Sequence, residues 1–300
     1  MKNAPANVAH ALPEAHRSSV LSDYIALTKP RLNFLVVLTS AAGYYVGGIG
    51  APDLVKMAQA VVGTALVAGG SAVLNQVYER DTDALMRRTR RRPLPDRRVT
   101  ATEAAIYGTV LTLAGLVVLA LATNWVAATL ALATLALYLF IYTPMKRTSN
   151  LSTLVGAVPG ALPAVIGWSA ARGDIAIGGL SLFAIVFLWQ IPHFMALAWM
   201  YRDDYRAAGF PMLPVVEPDG LRTGQQALLY AAALLPVSIG PTVVGIAGWT
   251  YFWLALVLGV GLLVLSARFA RERTDRSART LFFASIIYLP LIWAVMVLDH

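Results

Sequence analysis

No cysteine occurs anywhere in the 300 residues. Disulfides, thiolate nucleophiles and cysteine-ligated metal or haem are therefore excluded. Charge is scarce too, at 13% of residues against 58% hydrophobic, and the mean hydropathy is +0.64. Apolar runs of about 20 residues are long enough to cross a bilayer. Strand-period alternation is missing, which favours a helical bundle over a β-barrel. The N-terminal stretch has no apolar segment of the kind a signal peptide needs. It carries Glu14 and Asp23 and little arginine, which argues against a mitochondrial transit peptide.

What the chain has instead is apolar runs, roughly Leu32–Gly50, Leu54–Val77, Ala101–Ala122, Trp125–Tyr142, Leu151–Ala171, Gly178–Trp199, Ala227–Gly248, Tyr251–Phe269 and Thr280–Leu298. The expected fold is an all-α integral membrane protein, a bundle of about nine transmembrane helices. A polar N-terminal arm, 1–27, precedes a single polytopic domain, 28–300. Of 24 Lys and Arg, this threading leaves only Lys56 and Arg172 on one side. The asymmetry places the N-terminus in the cytoplasm and the C-terminus outside. The net charge of +8 comes from short arginine clusters between spans, so nucleic acid is not an expected partner.

Where the second apolar run ends stands Asn75-Gln-Val-Tyr-Glu79-Arg-Asp81-Thr-Asp83, followed by Arg87-Arg88-Thr-Arg90-Arg91-Arg92-Pro-Leu-Pro95. Asn75, Glu79 and Asp83 are spaced i, i+4, i+8 and share one face of a helix. Oxygen ligands on one face suit Mg²⁺, a hard cation commonly held by carboxylates together with substrate phosphates. Arginines can clamp phosphate oxygens in bidentate fashion. Charges are common at a membrane helix end, but orientation alone does not require carboxylates inside a basic run. A weak internal echo follows four spans later, in Tyr201-Arg202-Asp203-Asp204-Tyr205-Arg206. Two acidic helix ends facing one cavity suit one or two Mg²⁺ ions on a diphosphate. An allylic diphosphate is the substrate this suggests: the ion improves the leaving group, cations stabilise the departing charge, and an apolar chamber shields a carbocation.

The pattern Asn75-x₃-Glu79-x₃-Asp83 resembles the Asn-x₃-Asp-x₃-Asp motif of the UbiA superfamily of membrane prenyltransferases. More narrowly the chain is similar to its haem-farnesylating branch. The supporting pieces are Leu27-Thr-Lys-Pro-Arg-Leu32, Arg88-Thr-x-x-Arg92-Pro-Leu94, Tyr142-Thr-Pro-x-Lys146-Arg147, Trp189-x-Ile-Pro-His193-Phe194 and Tyr201-Arg-x-Asp-Tyr-x-x-Ala-Gly-x-Pro-Met-Leu-Pro214. The resemblance implies transfer of farnesyl from farnesyl diphosphate to a vinyl group of haem B, with water addition, giving haem O. Haem B is then a substrate rather than a cofactor. The resemblance also implies the lipid bilayer as setting, a bacterial inner membrane over a mitochondrial one, and a haem A synthase or terminal-oxidase assembly as partner. Asn75, Glu79, Asp83, Lys146 and His193 are the expected catalytic residues. Arg80, Arg88, Arg92, Tyr201 and Asp204 are expected at the substrate, with Asp204 joining Asn75, Glu79 and Asp83 as a metal ligand.

The chain departs from the family pattern in two places. Glu79 stands where the superfamily has its first Asp, and Tyr201 and Tyr205 occupy the positions of a second Asp-x₃-Asp cluster. The residues leave alternatives open. Asp204 is a metal ligand or a salt-bridge partner of Arg202 or Arg206. Lys146 contacts diphosphate or merely sets orientation. His193, an ionisable group inside a span, touches porphyrin, moves a proton, ligates iron, or is an interior histidine beside Pro192. Arg97 and Arg98 are expected to be solvated. At the level of function, a quinone-precursor or chlorophyll-type acceptor stands as the alternative. A transporter or non-catalytic haem-handling protein is more distant, because transporter ion sites lie near the midplane.

Overall fold

The computed structural model describes residues 19–300. His10, His16, Glu14 and most of the expected polar arm lie outside them. Every regular element among the described residues is helical, as a chain surrounded by lipid requires: only internal hydrogen bonds satisfy its backbone there.

The arm's last turns form α1, Val20–Leu27, capped by the Ser19 side chain. Then come α2 (Pro30–Gly47), α3 (Leu54–Asp83), α4 (Ala101–Ala122), α5 (Trp125–Met145), α6 (Ser152–Arg172) and α7 (Ile177–Met200). Two short helices, α8 (Arg202–Ala207) and α9 (Leu213–Val216), precede α10 (Leu221–Val243), α11 (Trp249–Glu272) and α12 (Asp275–Leu298). Helix starts follow local chemistry. Asp53 caps α3, Asn124 caps α5, and Thr100 with Glu103 forms a capping box on α4.

Eight of these helices are long and apolar enough to cross a membrane. The ninth expected span is α2, an 18-residue helix that begins Pro-Arg-Leu-Asn and continues through Thr, Ser and Gly, so it has no apolar stretch to match those eight. It lies against α6 at backbone contact: a Cβ on Gly43 would sit 2.2 Å from the Ala164 carbonyl oxygen, and one on Gly167 1.9 Å from that of Ser40. Small residues permit this approach, which is how membrane helices associate without a hydrophobic driving force between them. A second seam of the same kind joins α3 to α4 through Gly63, Gly70, Gly108 and Gly115.

Hydrogen bonds fix which loops share an end. At one end Asn124 Nδ2 donates to the Ser169 carbonyl (2.7 Å), Gly248 N to that of Asp299 (2.8 Å), and His300 lies 2.9 Å from that of Ile246. Lys56 and Arg172 belong to this end, and Trp125 and Trp249 stand exposed there. At the other end gather the start of α2, the end of α3, segment 84–100, segment 146–151 and segment 201–220. Met86, Ala208, Phe210 and Met212 are buried together where two of these segments dock. Arg98, exposed as expected, also pairs with buried Asp23 of α1 and with Asp96, tying segment 84–100 to the bundle. Arg97 is exposed.

Candidate active site

Helix α3 continues without a break past its last apolar turn to Asp83. The i, i+4, i+8 spacing therefore acts as expected: Asn75, Glu79 and Asp83 line one face and are 1%, 5% and 1% exposed. Arg80 points the other way, exposed, toward Asp81 at 3.5 Å.

Every member of the buried face is matched. Asn75 Oδ1 accepts from Lys29 Nζ (3.4 Å), and its Nδ2 donates to Thr143 Oγ1 (3.0 Å). Lys146 Nζ donates to both Glu79 oxygens (2.8 and 3.1 Å). Arg92 Nη1 donates to Asp83 Oδ2 (2.7 Å), and Thr89 Oγ1 to the Asp83 carbonyl (2.7 Å). Two carboxylates thus face three cations, Lys29, Lys146 and Arg92. The surplus is positive and attracts an anion. Removing one partner of a buried ion pair costs roughly 3–5 kcal/mol, so these cations leave their carboxylates only for comparable charge.

Two local distortions build this arrangement. Residues Leu137–Tyr142 of α5 wind as a π-helix, a form that concentrates at functional sites. Around this turn Tyr138 and Tyr142 stack at 5.5 Å, and Thr143 Oγ1 donates to the Tyr138 carbonyl (2.7 Å). Lys146 follows, 5.1 Å from the Tyr142 ring and 5.8 Å from that of Phe210. The second distortion is Lys29, in the left-handed region at φ 50. A non-glycine residue held there stores strain of order 1–3 kcal/mol. Burial pushes the pKa of the Lys29 ammonium down to about 7, and the nearby Arg92 charge adds to the effect.

Above this layer the Arg88 guanidinium sits 4.9 Å over the Tyr201 ring, joining the two docked segments. The open question at Asp204 is answered on one side. Arg202 pairs with Asp275 (2.6 Å) and Arg206 with Asp203 (2.7 Å), and Asp204 makes no ion pair among the described residues. Nor do three Asp, Glu, His or Cys side chains converge anywhere among them. The donors on α3 still fit Mg²⁺ chemically: two carboxylates and an amide oxygen are hard ligands, and such an ion usually completes its shell with water and phosphate oxygens.

His193 stands apart from this cluster. It lies on α7 seven residues before Met200, hence ~10 Å from that helix end along the axis. Its ring is stacked between Trp189 (5.2 Å, 22°) and Phe282 (4.8 Å, 25°), and its Nδ1 is 2.8 Å from Ser285 Oγ. A surface groove of about 610 Å³ is unrelated to either group. It is apolar and runs between α3 and α4 at the end that carries Lys56 and Arg172, past Leu54, Gln59 and Val118.

The sequence reading missed Lys29, Tyr138, Tyr142, Thr143, Phe210, Phe282 and Ser285 as site residues. Lys29 carried a signal, a lysine directly before the proline that starts α2. Phe282 and Ser285 carried none, being ordinary residues of an apolar helix.

The family profile described as the UbiA prenyltransferase family matches residues 36–287. The protein named "Protoheme IX farnesyltransferase" of Solibacter usitatus is 46% identical over 289 residues, covering 93% of this chain and 99% of that one. Its namesake in Koribacter versatilis is 44% identical over 301 residues, covering 97% of each. Among solved structures, a digeranylgeranylglyceryl phosphate synthase superimposes with TM-score 0.78 at 16% identity, over 93% of this chain and 98% of that one. A UbiA homolog from Archaeoglobus fulgidus bound to GPP and Mg²⁺ does so with TM-score 0.61 at 18% identity, over 92% and 99%. These structural likenesses speak for the fold; the sequence matches, nearly full length, speak for more. The chain belongs to the UbiA prenyltransferase family and, within it, to the protohaem IX farnesyltransferases.

Proposed function

We propose that this multi-pass membrane enzyme transfers farnesyl from farnesyl diphosphate to a vinyl group of haem B, giving haem O and diphosphate. The observation that carries the chemistry is the buried Asn75–Glu79–Asp83 face with its surplus of cations. The acceptor follows from the relatives' name. GPP and Mg²⁺ in the Archaeoglobus homolog are in keeping with a metal-assisted diphosphate site.

Mg²⁺ would be held by Asn75, Glu79 and Asp83, with Asp204 free of ion pairs as a further ligand, and would neutralise diphosphate oxygens so that the group leaves more readily. Lys146, Arg92 and Lys29 turn from their present partners to the diphosphate, whose charge favours the protonated form of Lys29. Arg88 reaches the same anion from its seat on Tyr201 and is placed to stabilise charge as the C1–O bond breaks. Arg80, exposed and paired with Asp81, takes no direct part. Tyr138, Tyr142 and Phe210 wall off the developing allylic cation from water. The vinyl π electrons attack C1. The new cation beside the macrocycle takes up water and loses a proton, which leaves the hydroxyethylfarnesyl side chain. His193, clamped on α7, meets the macrocycle.

Purified protein given farnesyl diphosphate, Mg²⁺ and haem B yields haem O by mass analysis of the extracted pigment. The same protein offered a phenolic or quinoid acceptor yields no prenylated product. The reverse preference would replace haem by a quinone precursor in this scheme.

We also infer that the end carrying the site faces the cytoplasm of a bacterial cell, with a haem A synthase or terminal-oxidase assembly as the consumer of product. Cysteines introduced at Arg91 and Arg222 are labelled from the cytoplasmic side and one at Asp174 from outside, using membrane-impermeant reagents on sealed cells and inverted vesicles. Labelling of both sets from one side would overturn the threading.

A further inference from the structure

Ser285 is fully buried on α12 and touches His193 by side chain and Trp189 by backbone. Its Oγ lies 2.8 Å from His193 Nδ1 and 2.7 Å from the Phe282 carbonyl oxygen. A hydroxyl has one hydrogen to give. A carbonyl oxygen has none, so at 2.7 Å the Ser285 hydrogen must lie toward Phe282; otherwise two sets of lone pairs would face each other. That leaves Oγ only its lone pairs for the imidazole. Nδ1 therefore carries the ring hydrogen and donates it, and in a neutral imidazole Nε2 is then a bare lone pair. Nothing among the described residues bonds to Nε2.

The rest of the clamp fixes where that lone pair points. Trp189 and Phe282 cover the two ring faces, so the ring cannot tip. Trp189 is itself held by its Nε1–H, which donates to the Ser285 carbonyl (2.8 Å). One residue of α12 thus sets both the tautomer of the histidine and the position of the indole on which it rests. Bonding the far nitrogen of an imidazole to a fixed partner is a general way of orienting and enriching the near one.

We propose that Ser285 is a positioning residue that holds His193 in the Nδ1–H form and presents Nε2 to the acceptor. This rests on the reading above that His193 meets the macrocycle. Ser285→Ala is a clean probe, because it deletes the hydroxyl and keeps the carbonyl that anchors Trp189.

The tautomer is read by nitrogen–proton correlation spectra of protein labelled with ¹⁵N-histidine, without any acceptor present. His193→Gln, by removing one of four histidines, assigns the signals. The wild type shows the proton on Nδ1, and Ser285→Ala loses that single form. Haem turnover in Ser285→Ala falls by about 10- to 100-fold, while KM for farnesyl diphosphate stays put. Ser285→Thr restores both the spectrum and the turnover. A wild-type proton on Nε2, or an alanine variant that keeps either the Nδ1–H form or full haem turnover, overturns the proposal. Full haem turnover in His193→Gln would instead remove the acceptor role of the histidine, a separate result from the tautomer.

Discussion

Asp83→Ala lowers farnesyl transfer by roughly 1,000-fold or more, in line with the loss of a preorganised charge-stabilising group. The change acts twice. It removes an oxygen from the buried face of α3, and it frees Arg92 from the partner that now holds it at 2.7 Å. The fold survives, because Thr89 still donates to the backbone carbonyl of residue 83 and the α3–α4 seam is untouched. Asp83→Asn keeps the volume and an acceptor for Arg92, yet loses the charge, and falls nearly as far. At position 79 the order is different. Glu79→Asp keeps the charge and retains more activity than Glu79→Ala, which leaves Lys146 buried without its partner. Initial rates with farnesyl diphosphate and haem B measure all four variants, with gel-filtration profiles and thermal melting as the check on folding. EDTA abolishes wild-type turnover and Mg²⁺ restores it. Wild-type rates in Asp83→Ala would remove the metal assignment.

Haem in which both vinyl groups are replaced by ethyl binds but yields no product. The attacking electrons are the vinyl π pair, and an ethyl group has none. Shape and apolar surface barely change, so affinity stays within about threefold while turnover falls to background, the signature of an interaction realised only in the transition state. A zinc porphyrin with its vinyl groups intact makes the converse point. No electron passes to or from the metal when the vinyl carbon is alkylated and hydrated, so the analogue is turned over. Mass analysis of the extracted pigment reads both experiments, and inhibition of haem B turnover by the ethyl analogue measures its binding. Prenylation of the ethyl analogue would place the new bond elsewhere on the acceptor.

How far the chain could be read depended on the kind of order involved. The spacing of Asn75, Glu79 and Asp83 was legible because a continuous helix imposes its period on residues a few positions apart. Eight membrane spans were legible from length and hydropathy; the other expected one, Leu32–Gly50, falls on α2, whose Thr, Ser and Gly serve contact with α6 at the expense of apolar content. Lys146 was visible as a cation, but its partner was not, since the π-turn at Leu137–Tyr142 that aims it leaves no periodic trace. Arg98 is exposed as its loop position suggests, but its pairing was not legible, because a basic loop residue carries no sign of a distant buried Asp23. Ser285 and Phe282 lie beyond the reach of spacing altogether. Their meaning comes from α12 packing on α7, a contact between segments 92 residues apart at His193 and Ser285.

Helix α3 is 30 residues long, or ~45 Å, against a hydrocarbon layer of ~30 Å. Counted from Leu54, its carboxylates begin about where the oil ends. The reaction therefore straddles a phase boundary and sorts its own products. Diphosphate, doubly polar and small, is released where water can take it. The macrocycle has just acquired a chain of about fifteen carbons, each buried CH₂ worth ~0.8 kcal/mol, and has no aqueous way out. The bond-forming step is thus also a partitioning step, which commits the pigment to lateral travel in the bilayer and to whatever enzyme awaits it there.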